Sequence, residues 1–154
     1  MAGENFAGNI IASLASLPDF LRKPILTRRM TEFFALSEPE KQEIIDNALE
    51  AGPGVDFDRF EKLLRTWLEV LATLPPEQRT ELVGAYIAKI TQNPRSLIAF
   101  NMDAILGIFL ALQHDCRESI AASVRDVVSG LDSRRLRIVR LVVPDTARLH
   151  LGIS

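Results

Sequence analysis

Apolar residues recur along this chain at steps of three and four, and short polar segments interrupt them at intervals. That period puts one apolar stripe on each of a series of amphipathic helices. Phe6, Ile10, Leu14 and Leu17 form the first stripe, which Pro18 ends ahead of Asp19. The next helix starts near Asp19 or Pro24 and runs to Leu36, with Ile25, Leu26, Met30, Phe33 and Phe34 inward. Ser37, with Glu40 three residues on, has the form of a capping box, in which each side chain bonds the other residue's backbone N–H. The helix it opens carries Ile44, Ile45, Ala48 and Leu49 inward and stops at Gly52-Pro53-Gly54, a loop signal. Asp56 is the next cap, ahead of a wide stripe from Phe57 and Phe60 through Trp67 to Leu71 that suits the centre of a fold.

Pro75-Pro76 opens a helix that holds Leu82, Val83, Tyr86, Ile87 and Ile90. Asn93-Pro94 supplies a cap and a first-turn proline for an apolar helix predicted to run through Leu112. A further helix extends from about Asp115 to Ser129, with Gly130 just past its end. Strand signals are few before residue 131. The expected fold is all-α: a compact bundle or short array of six to eight helices, forming a single domain over 1–154.

The helix-start segments also suggest a repeat. Leu36, Leu74 and Leu112 precede three of them and lie 38 residues apart (74 − 36 and 112 − 74). Lys41, Arg79 and Arg117 fall in register at that step, as do Ile44, Leu82 and Ile120. Such a period belongs to arrays of helical hairpins, which present surfaces to partners more often than they build reaction centres. A bundle of helices of similar length shows the same coincidences, because core positions are apolar in both. Gly52 opposite Ile90 breaks the pattern.

The C-terminal segment, 132–154, reads two ways. Leu136, Val139 and Val143 suit one face of a helix from Asp132, the favoured reading. Its β-branched content, the Pro144-Asp145 turn and the alternation of Leu149, Leu151 and Ile153 with Arg148 and His150 leave a small β-hairpin as the alternative. This segment also holds the densest basic cluster: Arg134, Arg135, Arg137, Arg140 and Arg148.

Charge sharpens that picture. Residues 1–77 carry 13 acidic and 8 basic side chains, a net of −5; residues 78–154 carry 7 and 10, a net of +3. Such asymmetry can steer association with an anionic partner or with another copy. The ordinary reading of the arginines is a solvated face, or ion pairs with the acidic half. A protein interface is the functional reading, since the guanidinium fork pairs bidentately with carboxylates. Nucleic acid is the alternative, although no aromatic residue is interleaved for base stacking and the whole chain is net −2.

Residues that could carry reaction chemistry are sparse. His114-Asp115-Cys116-Arg117 is the one place where reactive side chains gather, and a thiolate at a helix start beside a cation could be activated. Neighbours this close in sequence seldom face one another on a helix, so a helix-start turn with a half-buried cysteine is the plainer reading. Asp103, on a helix shared with Ala99, Phe100, Leu106, Gly107 and Leu110, is a candidate buried polar site needing a cation or donor. Its plainer readings are a salt bridge or an exposed edge position. Gly84 and Gly107 are candidate close helix crossings.

One cysteine excludes an internal disulfide and fits a reducing compartment. The apolar stretch Phe6 to Leu17 follows Glu4 and no basic residue, unlike a secretory signal. The run Leu97 to Leu112 is too short to span a bilayer and holds Asn101 and Asp103. A cytoplasmic location is expected, with no cofactor and no metal site.

The function expected is therefore non-catalytic: an adaptor, regulator or subunit acting through protein–protein contact or self-association. The contact surface would combine Arg134, Arg135, Arg137, Arg140 and Arg148 with Leu149, Leu151 and Ile153. The alternatives are nucleic-acid binding through the same arginines and a small enzyme or redox protein using Cys116.

Overall fold

The structure, a computed structural model, describes residues 11, 13–97, 99–148 and 151. They are helical throughout, with no strand among them. After a helical segment at 13–16, the α-helices are α1 (Asp19–Phe33), α2 (Glu38–Ala51), α3 (Phe57–Thr73), α4 (Pro76–Gln92), α5 (Met102–Leu110), α6 (His114–Ser129), α7 (Ser133–Val142) and α8 (Asp145–Arg148). Short 3-10 turns occupy Gly52–Gly54 and Pro94–Leu97. The chain divides into two compact units, 1–70 and 71–154, with the boundary inside α3.

The all-α expectation is met, and most of the helices keep strict time. Six of the eight start at 19, 38, 57, 76, 114 and 133, all on a 19-residue step that two helices turn into the 38-residue offset, while α5 at Met102 and α8 at Asp145 fall outside it. Local chemistry sets each start. Ser37 Oγ accepts the Glu40 N–H at 3.4 Å, and Glu40 Oε1 accepts from Ser37 N at 3.2 Å and Oγ at 2.8 Å, so the capping box forms. Those bonds to Ser37 hold the Glu40 carboxyl below the usual carboxylate range. Pro18 and Pro75, with extended backbone, stand at the N-caps of α1 and α4. Asp19 lies inside the first turn and pairs with Arg22 instead of capping. Gln113 takes the N-cap of α6, two residues before Asp115.

One long helix breaks in two. The stretch predicted to be continuous from Asn93 through Leu112 forms the 3-10 turn Pro94–Leu97 and then restarts at Met102. Asn101 explains the restart: its side-chain Oδ1 accepts the Ala104 N–H at 3.1 Å, so its backbone leaves the helical region.

Within 1–70 the deeply buried apolar side chains include Leu26, Met30, Phe33, Ile45 and Leu68. Within 71–154 they include Leu71, Leu82, Ile108, Phe109, Ile120 and Val139. In this second unit α4 and α6 pack along each other. Thr80 and Ser123 hydroxyls meet there at 3.3 Å, and a Cβ on Gly84 would touch Val127 at 3.6 Å, ordinary contact. Gly107 is exposed with open space around it, so it makes no helix crossing.

A helix end leaves its last carbonyls without intrahelical donors. Here arginines supply them, each five residues after the apolar residue that closes the preceding segment. Arg79, five beyond Leu74 and 8% exposed, donates from Nε to Leu71 O (3.3 Å) and from Nη2 to Ala72 O (3.2 Å) and Leu74 O (2.9 Å). Its Nη1 reaches Ser119 O at 3.2 Å. Arg22, five beyond Leu17 and 2% exposed, donates to Leu14 O (3.0 Å), Leu17 O and Thr66 Oγ1 (3.3 Å). Arg117, five beyond Leu112, donates to Leu110 O at 3.0 Å. Lys41, five beyond Leu36, sits 5.7 Å from the centre of the Phe33 ring and 3.6 Å from Glu38.

Replacing Arg79 with methionine keeps much of the buried stem and strips the Leu71, Ala72 and Leu74 carbonyls of their donor. Arg79→Met is expected to lower unfolding free energy by about 2–4 kcal/mol. Arg134→Met, at an exposed position, should stay within about 0.5 kcal/mol. Urea denaturation followed by circular dichroism checks both; equal effects would remove the carbonyl-capping account.

Candidate functional site

Helix α7 is built from both ends by local signals. Asp132 Oδ1 accepts the Arg135 N–H at 2.8 Å and caps its start. Val143, held extended before Pro144, closes it. The hairpin alternative for the C-terminal segment fails at this point, because its first strand is helical. Propensity toward strand in Ile138, Val139, Val142 and Val143 yields to the Asp132 cap and to burial of Val139 on one side.

The outer side of α7 follows from register. Arg134, Arg137 and Leu141 stand at i, i+3 and i+7, on one face, with Arg140 beside them. All four are exposed, Leu141 at 80%. Arg134, Arg137 and Arg140 make no ion pair among the described residues, and α7 itself carries no acidic side chain. Arg135 differs: it is half-buried and lies 3.9 Å from Asp132.

Arg148 and Leu151 are turned inward. Arg148 Nε donates to Val143 O at 3.1 Å and Nη2 to Arg140 O, so it closes the end of α7 five residues beyond Val143, and Nη1 pairs with Asp145 at 3.1 Å. Leu151 is 7% exposed and hydrogen bonds back to Ala147 O. The structure therefore assigns these two to packing. Leu149 and Ile153 lie outside the described residues.

Asp103 is exposed, contrary to a buried polar site. The reason is the break before α5: Ala99 and Phe100 precede the helix and do not share its register, and Ile108 and Phe109 set the buried side. Asp103 nonetheless meets the C-terminal segment. A shallow open groove of about 520 Å³ is lined by Phe100, Met102 and Asp103 on one side and Leu141, Val143 and Arg148 on the other. The sequence offered no hint of this juxtaposition. Leu141 itself was legible, since a helical register puts it with Arg134 and Arg137 and away from Val139.

The reactive cluster is dispersed. His114 and Asp115 are exposed, Cys116 is a half-buried free thiol, and Arg117 Nη2 lies 3.4 Å from His114 Nδ1. No group of three or more potential metal ligands occurs among the described residues. No helix among them is long and apolar enough to cross a membrane. No protein-family model, curated protein or solved structure matches the chain.

Tyr86, the single tyrosine, has its phenol group pushed up to about 12 by burial, while part of the residue remains accessible. An unfolded chain ionises this group near pH 10. The folded chain thus holds the proton through a window in which the unfolded chain releases it, and stability falls as pH rises from about 10 toward about 12. Phenolate absorbance should titrate near pH 12, or jump on alkaline unfolding. A smooth transition near pH 10 with retained helicity would show the phenol to be solvated.

Proposed function

We propose that this chain acts through protein–protein contact, as an adaptor, regulator or subunit, and that the outer face of α7 is its contact surface. The observation supporting this is Leu141, 80% exposed between unpaired arginines at the edge of a groove. An apolar side chain ringed by guanidinium groups is a common interface composition: the leucine gains by burial, and the arginines find carboxylates. Burying Leu141 fully would contribute roughly 1.5–3 kcal/mol. The contact set is Arg134, Arg137, Arg140 and Leu141, with Arg135 at its margin. A partner with an acidic, partly apolar helix face fits it. A nucleic acid would use the same cations but leave Leu141 unpaired with anything apolar.

A photo-crosslinking residue in place of Leu141, in cells expressing the chain, tests the reading. Protein adducts of discrete mass are expected, and Arg134→Glu with Arg140→Glu should reduce their yield about tenfold. Adducts to nucleic acid alone, or yields indifferent to the charge reversal, would overturn it.

A further inference from the structure

A second surface lies on α1, in the unit 1–70. Phe20, Pro24, Thr27 and Thr31 stand at i, i+4, i+7 and i+11, one stripe of a helix, and all four are exposed. Phe20 is 76% exposed, and Leu21 beside it 43%. Arg22, Leu26, Met30 and Phe33 set the buried side, which faces the other way. Both threonine hydroxyls donate to the helix's own backbone, Thr27 to Lys23 O and Thr31 to Thr27 O, each at 2.8 Å. The side chains of the stripe therefore offer an outside partner apolar surface and no hydrogen-bond donor.

Helical register puts Lys23 on one flank of the stripe and Arg28 on the other. Both are exposed, and neither makes an ion pair among the described residues. With Phe20, Pro24 and Thr27 they line a shallow open hollow of about 700 Å³, with Asp19 at its edge. Asp19 is held by Arg22 and does not neutralise them. Glu32, in the last turn, is the other carboxylate of α1, which carries four basic and two acidic side chains, a net of +2.

We propose that the outer face of α1 docks on an anionic lipid surface. Phe20 and Leu21 enter the boundary between headgroups and acyl chains, and Lys23 and Arg28 meet the lipid phosphates. Charge complementarity selects this occupant. Lysine and arginine carry their charge on long apolar stems, so cations on both flanks reach one anionic plane while the stripe between them sinks below it. A protein partner would have to place carboxylates on both sides of an apolar ridge. Residues 1–77 are net −5, so the attraction is local to α1, and screening beyond about 8 Å at physiological salt keeps it so. The contact is peripheral and reversible, since one short stripe and two cations supply it. It is independent of the reading of α7.

Co-sedimentation of the purified full chain with vesicles tests it, using phosphatidylcholine alone and phosphatidylcholine with about a third phosphatidylserine. Binding is expected to the anionic vesicles, about tenfold weaker to the neutral ones, and falling as salt is raised toward about 0.5 M. K23Q/R28Q should weaken it about 25-fold, because each cation near such a surface contributes roughly fivefold. F20S should weaken it about tenfold. R134Q/R137Q should leave it within about twofold, and all three variants, at exposed positions, should keep the parent circular dichroism. No binding to either vesicle, or binding that K23Q/R28Q and F20S leave unchanged, would overturn the proposal. So would binding lost in R134Q/R137Q and kept in K23Q/R28Q, which would give the lipid contact to α7. Protein adducts from a photo-crosslinking residue at position 20, without vesicle binding, would assign the face to a protein partner instead. Adducts at position 141 are unaffected by any of these results, so the two readings stand or fall separately.

Discussion

Carbonyl groups at the end of a helix point along its axis into whatever follows, and in this chain the next helix begins within a few residues. Water cannot easily reach carbonyls enclosed by that turn, so a donor has to come from the protein. The next helix provides it from its fifth position beyond the closing apolar residue. Arg22, Arg79, Arg117 and Arg148 each fold back onto carbonyls of the preceding segment. A guanidinium is suited to this because its five N–H groups fan out in a plane and bond several oxygens at once, and its charge faces the negative end of the helix dipole. Lys41 holds the equivalent place with one ammonium, and the Phe33 ring lies within cation–π distance of it. At the 19-residue step of the helix starts, the basic residue recurs at 22, 41, 79 and 117, while positions 60 and 136 hold Phe60 and Leu136 and Arg148 lies outside the step.

This arrangement sorts the basic residues into two populations. The arginines in the fifth position fold back onto backbone carbonyls, although Arg117 Nε is buried without a hydrogen-bond partner among the described residues. Those on the outer turns of α7 have no such partner, and their side chains stand in solvent around Leu141. Arg148 shows how sharply register divides the two. It belongs by sequence to the same basic cluster as Arg140, yet it is half-buried and bonds the Arg140 carbonyl. The exposed arginine face of α7 is therefore narrower than the basic cluster in the sequence, with Leu141 beside it.

Much of the fold was legible because its determinants are local. Ser37 and Glu40 form their reciprocal cap from residues three apart, Gly52-Pro53-Gly54 ends α2, and Pro75-Pro76 separates α3 from α4. Other features depended on a competition the pattern could not settle. Residues 93–112 are apolar enough for one helix, but Asn101 caps a new one and shifts the register by which Asp103 would have been buried. Leu151 resembled an exposed strand residue in an alternating pattern, and burial after α8 turned it into core.

The sequence by itself determined the helical class, the places where helices begin and the charge carried on each outer face, because these follow from residues within one or two turns of one another. Tertiary structure decided which cations serve the backbone and which remain free, and that Asp103, Leu141 and Arg148 border one groove. Those outcomes depend on which carbonyls and apolar groups lie opposite in space. Side chains of the same chemical type then diverge, since a buried carbonyl demands a donor and an exposed helix face does not.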